Sequence, residues 1–506
     1  MKRASGPPRP RYWTLVALPV LLWLPFKWAV VTLIAATIAK AAIGMARAAA
    51  ARGDACAAGG VGGADGAAVS LGVDERGREV LLSDRQLAAH GLIVGASGAG
   101  KSTTLLGILG DRVARGLPVI AIDLKGSPAF ATELERAAGL AGRPIRIWTP
   151  DGPSHWNPLA RGNPTELKDK LIASERFTEP HYQRAAERYV QAALQVLQAH
   201  GREPAIADVV ELMEPRRLAA AVRGLDSPLR ERVQDYIAGL TGDQISAVRG
   251  LGTRLAIISE SHAGRYLTPG AAGATVDLPA ALEGRDVVVF SLNSSIYGQL
   301  AAQLGTLAIQ DIVSATGHRL QATGQRLPAT VAVDEFSALG ADHLLALVAR
   351  GREAGVSVVL ATQELADLER AAPGFRDQVL GLTAVKIAHR QDVPASARTI
   401  AELAGTEWVW AESRQIYGPF GRGSSSRGTR HEVEQYVVHP NEVKTLRTGE
   451  AVLLTKTPQA GVSRVRIWPP TSTVAPSARA SRGSRDGGRS ARGIGRGDQP
   501  EPGVTR

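Results

Sequence analysis

The sequence predicts an α/β protein: a parallel sheet covered by helices, split by an all-helical insert and preceded by an apolar segment. Three observations carry that expectation. From Val69 onward, short β-branched runs alternate with stretches of helical spacing. Between residues 165 and about 262 the runs stop and helical spacing continues almost without break. Tyr12 to Ala46 is apolar except for Lys27 and Lys40. With 506 residues, 44% hydrophobic and 21% charged, the chain is long and apolar enough for two or more cored domains.

Residues 1–12 form a basic N-terminus, and 13–46 are expected to be a transmembrane anchor. Leu15 to Ala39 supplies the roughly 20 apolar residues that a helix needs to cross the hydrocarbon core, with Lys27 snorkelling or facing a protein partner. The run is too long, and too interrupted by Lys27, for a cleaved signal peptide. Trp13, Trp23 and Trp28 are candidate interfacial anchors or simple filler. Lysines and arginines flank both ends, so orientation stays open: a single crossing is favoured over a short hairpin turning near Pro25 to Lys27. Residues 47–68, rich in Ala and Gly, read as a linker.

Strand-like LIVGA, VIAID (Val119 to Asp123) and IRIW (Ile145 to Trp148) place a first α/β part at 69–164. The insert follows at 165–275, with Pro204, Pro215 and Pro228 punctuating successive helices. A second α/β part at 276–468 carries DVVVFSL, ATVAVDEF, VSVVLATQ and AVLLTK. The Ser/Gly/Arg-rich end, 469–506, is expected to be a disordered basic tail.

The net charge of +11 is concentrated at the two ends: residues 1–53 hold eight Lys/Arg and no acids, and 471–506 hold seven Arg against three acids. The body is close to neutral, so total charge is no argument for a DNA-binding face. A single cysteine, Cys56, rules out an intrachain disulfide or a cysteine metal cluster, and ten scattered histidines show no metal-site spacing.

GASGAGKS, Gly95 to Ser102, fits G-x-x-x-x-G-K-[ST] between an apolar strand and a helix. In that pattern backbone N–H groups from Gly95 through Thr103, including Ala96, Ser97, Gly98, Ala99 and Gly100, turn toward phosphate oxygens at a helix N-terminus. Lys101 is expected to reach the β- and γ-phosphates and Ser102 to ligate Mg²⁺. VAVDEF ends an apolar strand on Asp334, a second Mg²⁺ candidate, followed by Glu335, suited to polarising an attacking water. Gln363, at the end of LATQ, is either a γ-phosphate sensor or a turn cap. Arg350 and Arg352 lie between those strands and by spacing alone are solvated charges. ATP and Mg²⁺ are the cofactors these motifs call for.

The ordered set GASGAGKST, VIAIDLKG, WNPL, VAVDEFSALG, ARGREAGVSVVLATQ and HPNEVKTLRTGEAVLL resembles the coupling ATPases of conjugative type IV secretion, the TraG/TraD class of the FtsK/HerA group. The resemblance spans about residues 85–460. It implies a RecA-like P-loop NTPase domain interrupted by an all-helical insert, with an N-terminal transmembrane segment, in a hexameric ring. It also implies relaxosome proteins, DNA, secretion-channel components and the bacterial inner membrane as partners, with the catalytic body in the cytoplasm. Lys101 and Ser102 match the nucleotide contacts, Asp334 and Glu335 the metal and water-activating acids, Gln363 the sensor and Arg352 an arginine finger acting on a neighbour. The family commonly has Pro where Leu124 stands, and Lys125 beside it reads as a surface lysine. Gly418 to Arg430 (GPFGRGSSSRGTR) reads as a mobile, solvated loop or a DNA contact.

The favoured function is therefore an ATP-hydrolysing motor that couples DNA to a conjugative channel. Two alternatives stand beside it: a docking receptor for protein cargo with ATP binding as an assembly switch, and an FtsK-like chromosome translocase. The second of these is weakened because no C-terminal winged-helix module is recognisable.

Overall fold

A computed structural model describes residues 68–469 apart from 176, 178, 226, 271–274, 285, 323–325 and 417–423. The expected anchor at 13–46, most of the linker and the tail from 470 lie outside these residues. Among the described residues no helix is long and apolar enough to cross a membrane.

The scaffold is an 11-stranded sheet in the order β2-β1-β13-β12-β9-β3-β8-β7-β4-β6-β5. Its parallel part joins β3 (Gly91–Val94), β4 (Val119–Asp123), β5 (Ile145–Trp148), β6 (Val287–Ser291), β7 (Ala329–Asp334), β8 (Val356–Thr362) and β9 (Val385–Ala388). β3, β4, β7 and β8 are buried at every position, which is why they read as unbroken apolar runs rather than alternating ones. β12 (Glu450–Thr455) and β13 (Gly461–Ile467) extend the sheet antiparallel beyond β9, and β1 (Ala68–Val73) with β2 (Glu79–Ser83) finish that edge. The alternation expected from Val69 thus opens with an antiparallel edge hairpin before the first strand-helix unit.

Crossover helices cover the sheet: α1 (Lys101–Ala114) and α2 (Pro128–Leu140) with one face, where Leu105, Leu109, Phe130 and Leu134 join strand residues such as Val119 and Val287 in one core. The other core runs from Leu92 and Ile122 on the sheet into the insert. This is the α/β RecA-like architecture with a helical insert. The insert consists of α3 (Pro164–Ala173), α4 (Pro180–Ala199), α5 (Ile206–Leu212), α6 (Pro215–Ala221), α7 (Ser227–Ala238) and α8 (Gly242–Ser259). Prolines in the first turns of α3, α4 and α6 sit where the missing N–H is not needed. In α4, Ala186, Tyr189, Val190, Ala193, Leu194 and Leu197 recur at helical spacing and are buried.

The WNPL segment ties the insert to the sheet. Trp156 packs edge-on against Trp148 and Phe290, with ring centroids 5.6 and 4.9 Å away. Its indole Nε1 donates to Asp311 Oδ2 at 3.0 Å, and Lys170 Nζ from α3 pairs with Asp311 Oδ1 at 2.7 Å. Asp311 belongs to α9 (Gln299–Gln321), which runs between β6 and β7. Burial pushes the Asp311 carboxyl up, and the Lys170 ammonium pulls it back; the fully hydrogen-bonded pair explains how two charges persist in an apolar junction.

A two-stranded ribbon stands apart from the sheet. β10 (Thr406–Ile416) pairs antiparallel with β11 (Ser424–Tyr436) after α11, counting α10 as Ala341–Gly351 and α11 as Pro394–Ala404. Half of the segment expected to be a solvated loop is therefore strand: Ser424 to Arg430 pairs with Glu412 to Ile416. Cross-strand backbone pairing sets this ribbon, which Ser/Gly composition does not reveal.

Candidate nucleotide-binding site

The phosphate-loop sequence forms the turn from β3 into α1, at the C-terminal ends of the parallel strands, where open α/β sheets place their ligands. Gly98 and Gly100 have φ of 73° and 118°, in the left-handed region that favours glycine. At Gly95 a Cβ would sit 2.6 Å from His389 Cβ, so no larger residue fits. The loop is tied down from behind: Gly95 N–H donates to Gln363 O at 3.2 Å and Ala96 N–H to Arg390 O at 2.8 Å. Ser97 and Gly98 are exposed at its crest, Ala99 is buried, and Thr103 is half-buried in the first turn of α1.

Lys101 Nζ donates to Gly95 O at 2.6 Å and lies within the loop, 4% exposed. Burial, with Lys125 nearby, pushes its ammonium below the ordinary lysine value, against the pull of Glu335 and Asp334. Ser102 Oγ donates to Asp334 Oδ2 at 3.3 Å, which brings the two metal candidates together although 232 residues separate them. Burial raises Asp334, and Lys125 opposes it most strongly.

Glu335 follows in the left-handed region, with φ 57° and ψ 41°, a conformation that costs a non-glycine residue on the order of 1–3 kcal/mol and persists only where the surroundings fix it. Its N–H donates to Asp334 Oδ1 at 3.0 Å, Gln363 Nε2 donates to its Oε1 at 3.0 Å, and Lys125 Nζ pairs with that same Oε1 at 2.5 Å. Gln363 is therefore bonded to the acid and does not cap a turn by its side chain. Lys125, expected at the surface, keeps 38% of its side chain exposed but turns its ammonium into the cluster. Burial works against its charge, but the Glu335 bond and the Asp334, Glu335 and Asp123 carboxylates raise it.

Two further residues escaped the sequence. Asp123 ends β4 directly beside Asp334, accepts from Lys125 N at 3.0 Å and Ser127 N at 2.7 Å, and is raised to about 6 by burial, with Asp334 adding and the Ser127 bond opposing. The D of DLKG was the signal available for it. His389, at the end of β9, bridges Thr104 Oγ1 and Glu450 O through its two ring nitrogens at 2.9 Å each. Burial drops it to about 4, so it stays neutral under the loop; no local motif marks it.

Arg352 is not brought to this cluster within the chain. It caps the C-terminus of α10, exposed, close enough to His90 to depress it electrostatically. His90 immediately precedes β3, so Arg352 sits at the edge of the sheet opposite the phosphate loop.

The donor set fits a nucleotide with Mg²⁺: one hydroxyl and one carboxylate side by side leave most of an octahedron for water and phosphate oxygens. The N–H groups of Ser97, Gly98 and Gly100 to Thr103 are left for phosphate, whereas those of Gly95, Ala96 and Ala99, expected in the same role, are taken by Gln363 O, Arg390 O and Ala96 O. Bound there, the metal would neutralise phosphate charge, and Ser102 and Asp334 are the residues that would hold it.

Comparison with known proteins agrees with this frame. Residues 328–448 match the family described as the TraM recognition site of TraD and TraG. Among curated protein sequences none matches. The fold is shared with the unbound bacterial conjugative coupling protein TrwBdeltaN70 (TM-score 0.58, 14% identity, 77% of this chain and 86% of that one). It is shared likewise with the plasmid coupling protein TrwB in complex with ADP and Mg²⁺ (0.57, 14%, 81% and 90%). VirB4 of Thermoanaerobacter pseudethanolicus is also similar (0.53, 15%, 81% and 98%). A family match over Ala329 and its downstream strands, on a fold held in common with coupling proteins, supports the TraG/TraD class of type IV coupling proteins as the one this chain resembles.

Proposed function

We propose that the chain is a membrane-anchored motor that hydrolyses ATP between protomers of a ring and moves DNA, presented by relaxosome proteins, toward a conjugative secretion channel. The observation that carries the hydrolytic part is the convergence of Ser102, Asp334, Glu335 and Gln363 at the mouth of the phosphate loop. Lys101 and the loop N–H groups bind the phosphates, Ser102 and Asp334 hold Mg²⁺, and Glu335 accepts a proton from the attacking water while Gln363 fixes its carboxylate. Arg352, exposed at the far edge, is free to serve a neighbouring protomer's nucleotide. The solved TrwB complexes with ADP and Mg²⁺ and with a non-hydrolysable ATP analogue support this choice of ligand. The anchor at 13–46, with the body on the cytoplasmic face of the inner membrane, belongs to the same proposal.

A docking role has one observation in its favour: the matched segment is described as a recognition site for a partner protein. The steady-state ATPase rate of the full chain with and without DNA separates the two. The motor reading expects DNA to stimulate turnover, and Glu335→Gln to lower it roughly 10²- to 10⁴-fold while ATP still binds. Turnover that is rapid in the monomer and indifferent to DNA contradicts it.

A further inference from the structure

The β10-β11 ribbon carries two of the most exposed large apolar side chains among the described residues, Trp408 at 69% and Trp410 at 65%. Residues two apart on a strand point to one face, and residues directly opposite share it. Trp408 faces Glu434, Trp410 faces Glu432, and Glu412 faces Arg430. One face of the ribbon is therefore two indoles flanked by carboxylates. At its outer end Arg430 Nε neutralises Glu412 at 2.6 Å. Glu434 accepts only the Thr406 hydroxyl, at 2.6 Å, and Glu432 has no hydrogen-bond or ion-pair partner among the described residues.

Such a face rejects phosphate. Two uncompensated carboxylates within cross-strand reach of both rings repel a nucleic-acid backbone, whereas single-strand platforms pair aromatics with cations. The complementary ligand is a guanidinium, which stacks on an indole and pairs with a carboxylate at once.

The chain contains such a ligand. Residues 470–506 hold seven arginines against three acids, and six of the arginines fall between Arg479 and Arg496 with only Asp486 among them. The segment leaves β13 at the end of the sheet edge whose other end lies at the ribbon's base: Lys456 Nζ, following β12, donates to Leu403 O at 3.1 Å in the last turn of α11, three residues before β10. Going back along β13 spans seven residues, about 20 Å, which ten extended residues cover at roughly 3.3 Å each. Arg479 is already within reach of the base.

We propose that the Trp408/Trp410 face docks the arginine-rich segment 470–506, from the same copy or a neighbouring one. The inference stands apart from the nucleotide reading.

The test is tryptic release of the segment from the full chain, cutting at Arg479 to Arg496, in wild type, Trp408→Ala/Trp410→Ala and Glu432→Gln/Glu434→Gln. The expected result is at least threefold faster cleavage in both variants at low ionic strength. Wild type should converge on them in 1 M salt, where screening shortens to about 3 Å. Equal rates in all three chains at low salt overturn the proposal. A photo-crosslinking residue at position 406, on the same face with both indoles kept, gives the second reading. Crosslinks mapping to 470–506 support it; crosslinks to nucleic acid, to another protein or to any other segment of this chain overturn it.

Discussion

Glu335 is the residue on which the site turns, and its backbone shows the tension it is under. The left-handed φ of 57° aims its carboxylate at Lys125 and Gln363, which share a single oxygen. Lys125 is then a positioning residue, holding the acid and offsetting Asp123 and Asp334 on the neighbouring strands. Lys125→Ala is expected to lower kcat about tenfold or more, with a smaller effect on nucleotide Kd. Lys125→Arg should recover part of the loss; a variant that changes only Kd would mean that Lys125 acts on binding alone. Neutral histidines set a second expectation. His90 and His389 are both held near 4 by burial, His90 accepting from Val358 N at 3.1 Å. An unfolded histidine titrates near 6.5, so unfolding takes up protons between these values. The histidines' contribution to stability should be full above about pH 6.5 and fall as pH drops toward 4, by on the order of 1 kcal/mol per pH unit for each histidine, while Asp123, raised to about 6, acts with the opposite sign in the same window. Denaturant midpoints against pH check this; His90→Asn or His389→Asn should flatten the slope.

Among elements, the junction of α3, α9 and WNPL gives the insert its fixed seat. Replacing Lys170 by Met leaves Asp311 charged in an apolar setting, and breaking such a pair costs roughly 3–5 kcal/mol. Lys170→Met combined with Asp311→Leu is expected to cost clearly less than either change alone, measured by chemical denaturation; simple additivity would contradict the pairing. This scale also shows where the sequence was readable. β4 coincides with the run read as VIAID, because a parallel strand buried on both faces writes its length in consecutive apolar residues, whereas β5, the edge strand, is half-buried except at Trp148 and shows as the alternation IRIW. β9 was missed: Lys386 interrupts it, and that lysine is buried with its ammonium on Thr383 O, a partner no pattern foretells. β11 was missed for the opposite reason, since its Ser/Gly/Arg half is strand through pairing with β10 rather than through burial. Lys125 and His389 lay beyond local reading too, because their partners are 210 and 285 residues away in the chain.

On the scale of the whole molecule, the arrangement divides labour between the two edges of one sheet. The phosphate loop, Asp334 and Glu335 occupy the C-terminal edge of the parallel strands, and Arg352 projects from the opposite edge beyond α10. A chain so built offers its own nucleotide no guanidinium from residue 352, and in the proposed head-to-tail ring the next protomer would supply one. The central claim is that hydrolysis happens at that seam. Arg352→Ala and Glu335→Gln chains, each nearly inactive alone, are mixed and their ATPase rate measured. Every seam pairing the intact Glu335 of the first with the intact Arg352 of the second is competent, so the mixture is expected to regain activity well above either parent. A mixture no more active than its parents would contradict the account.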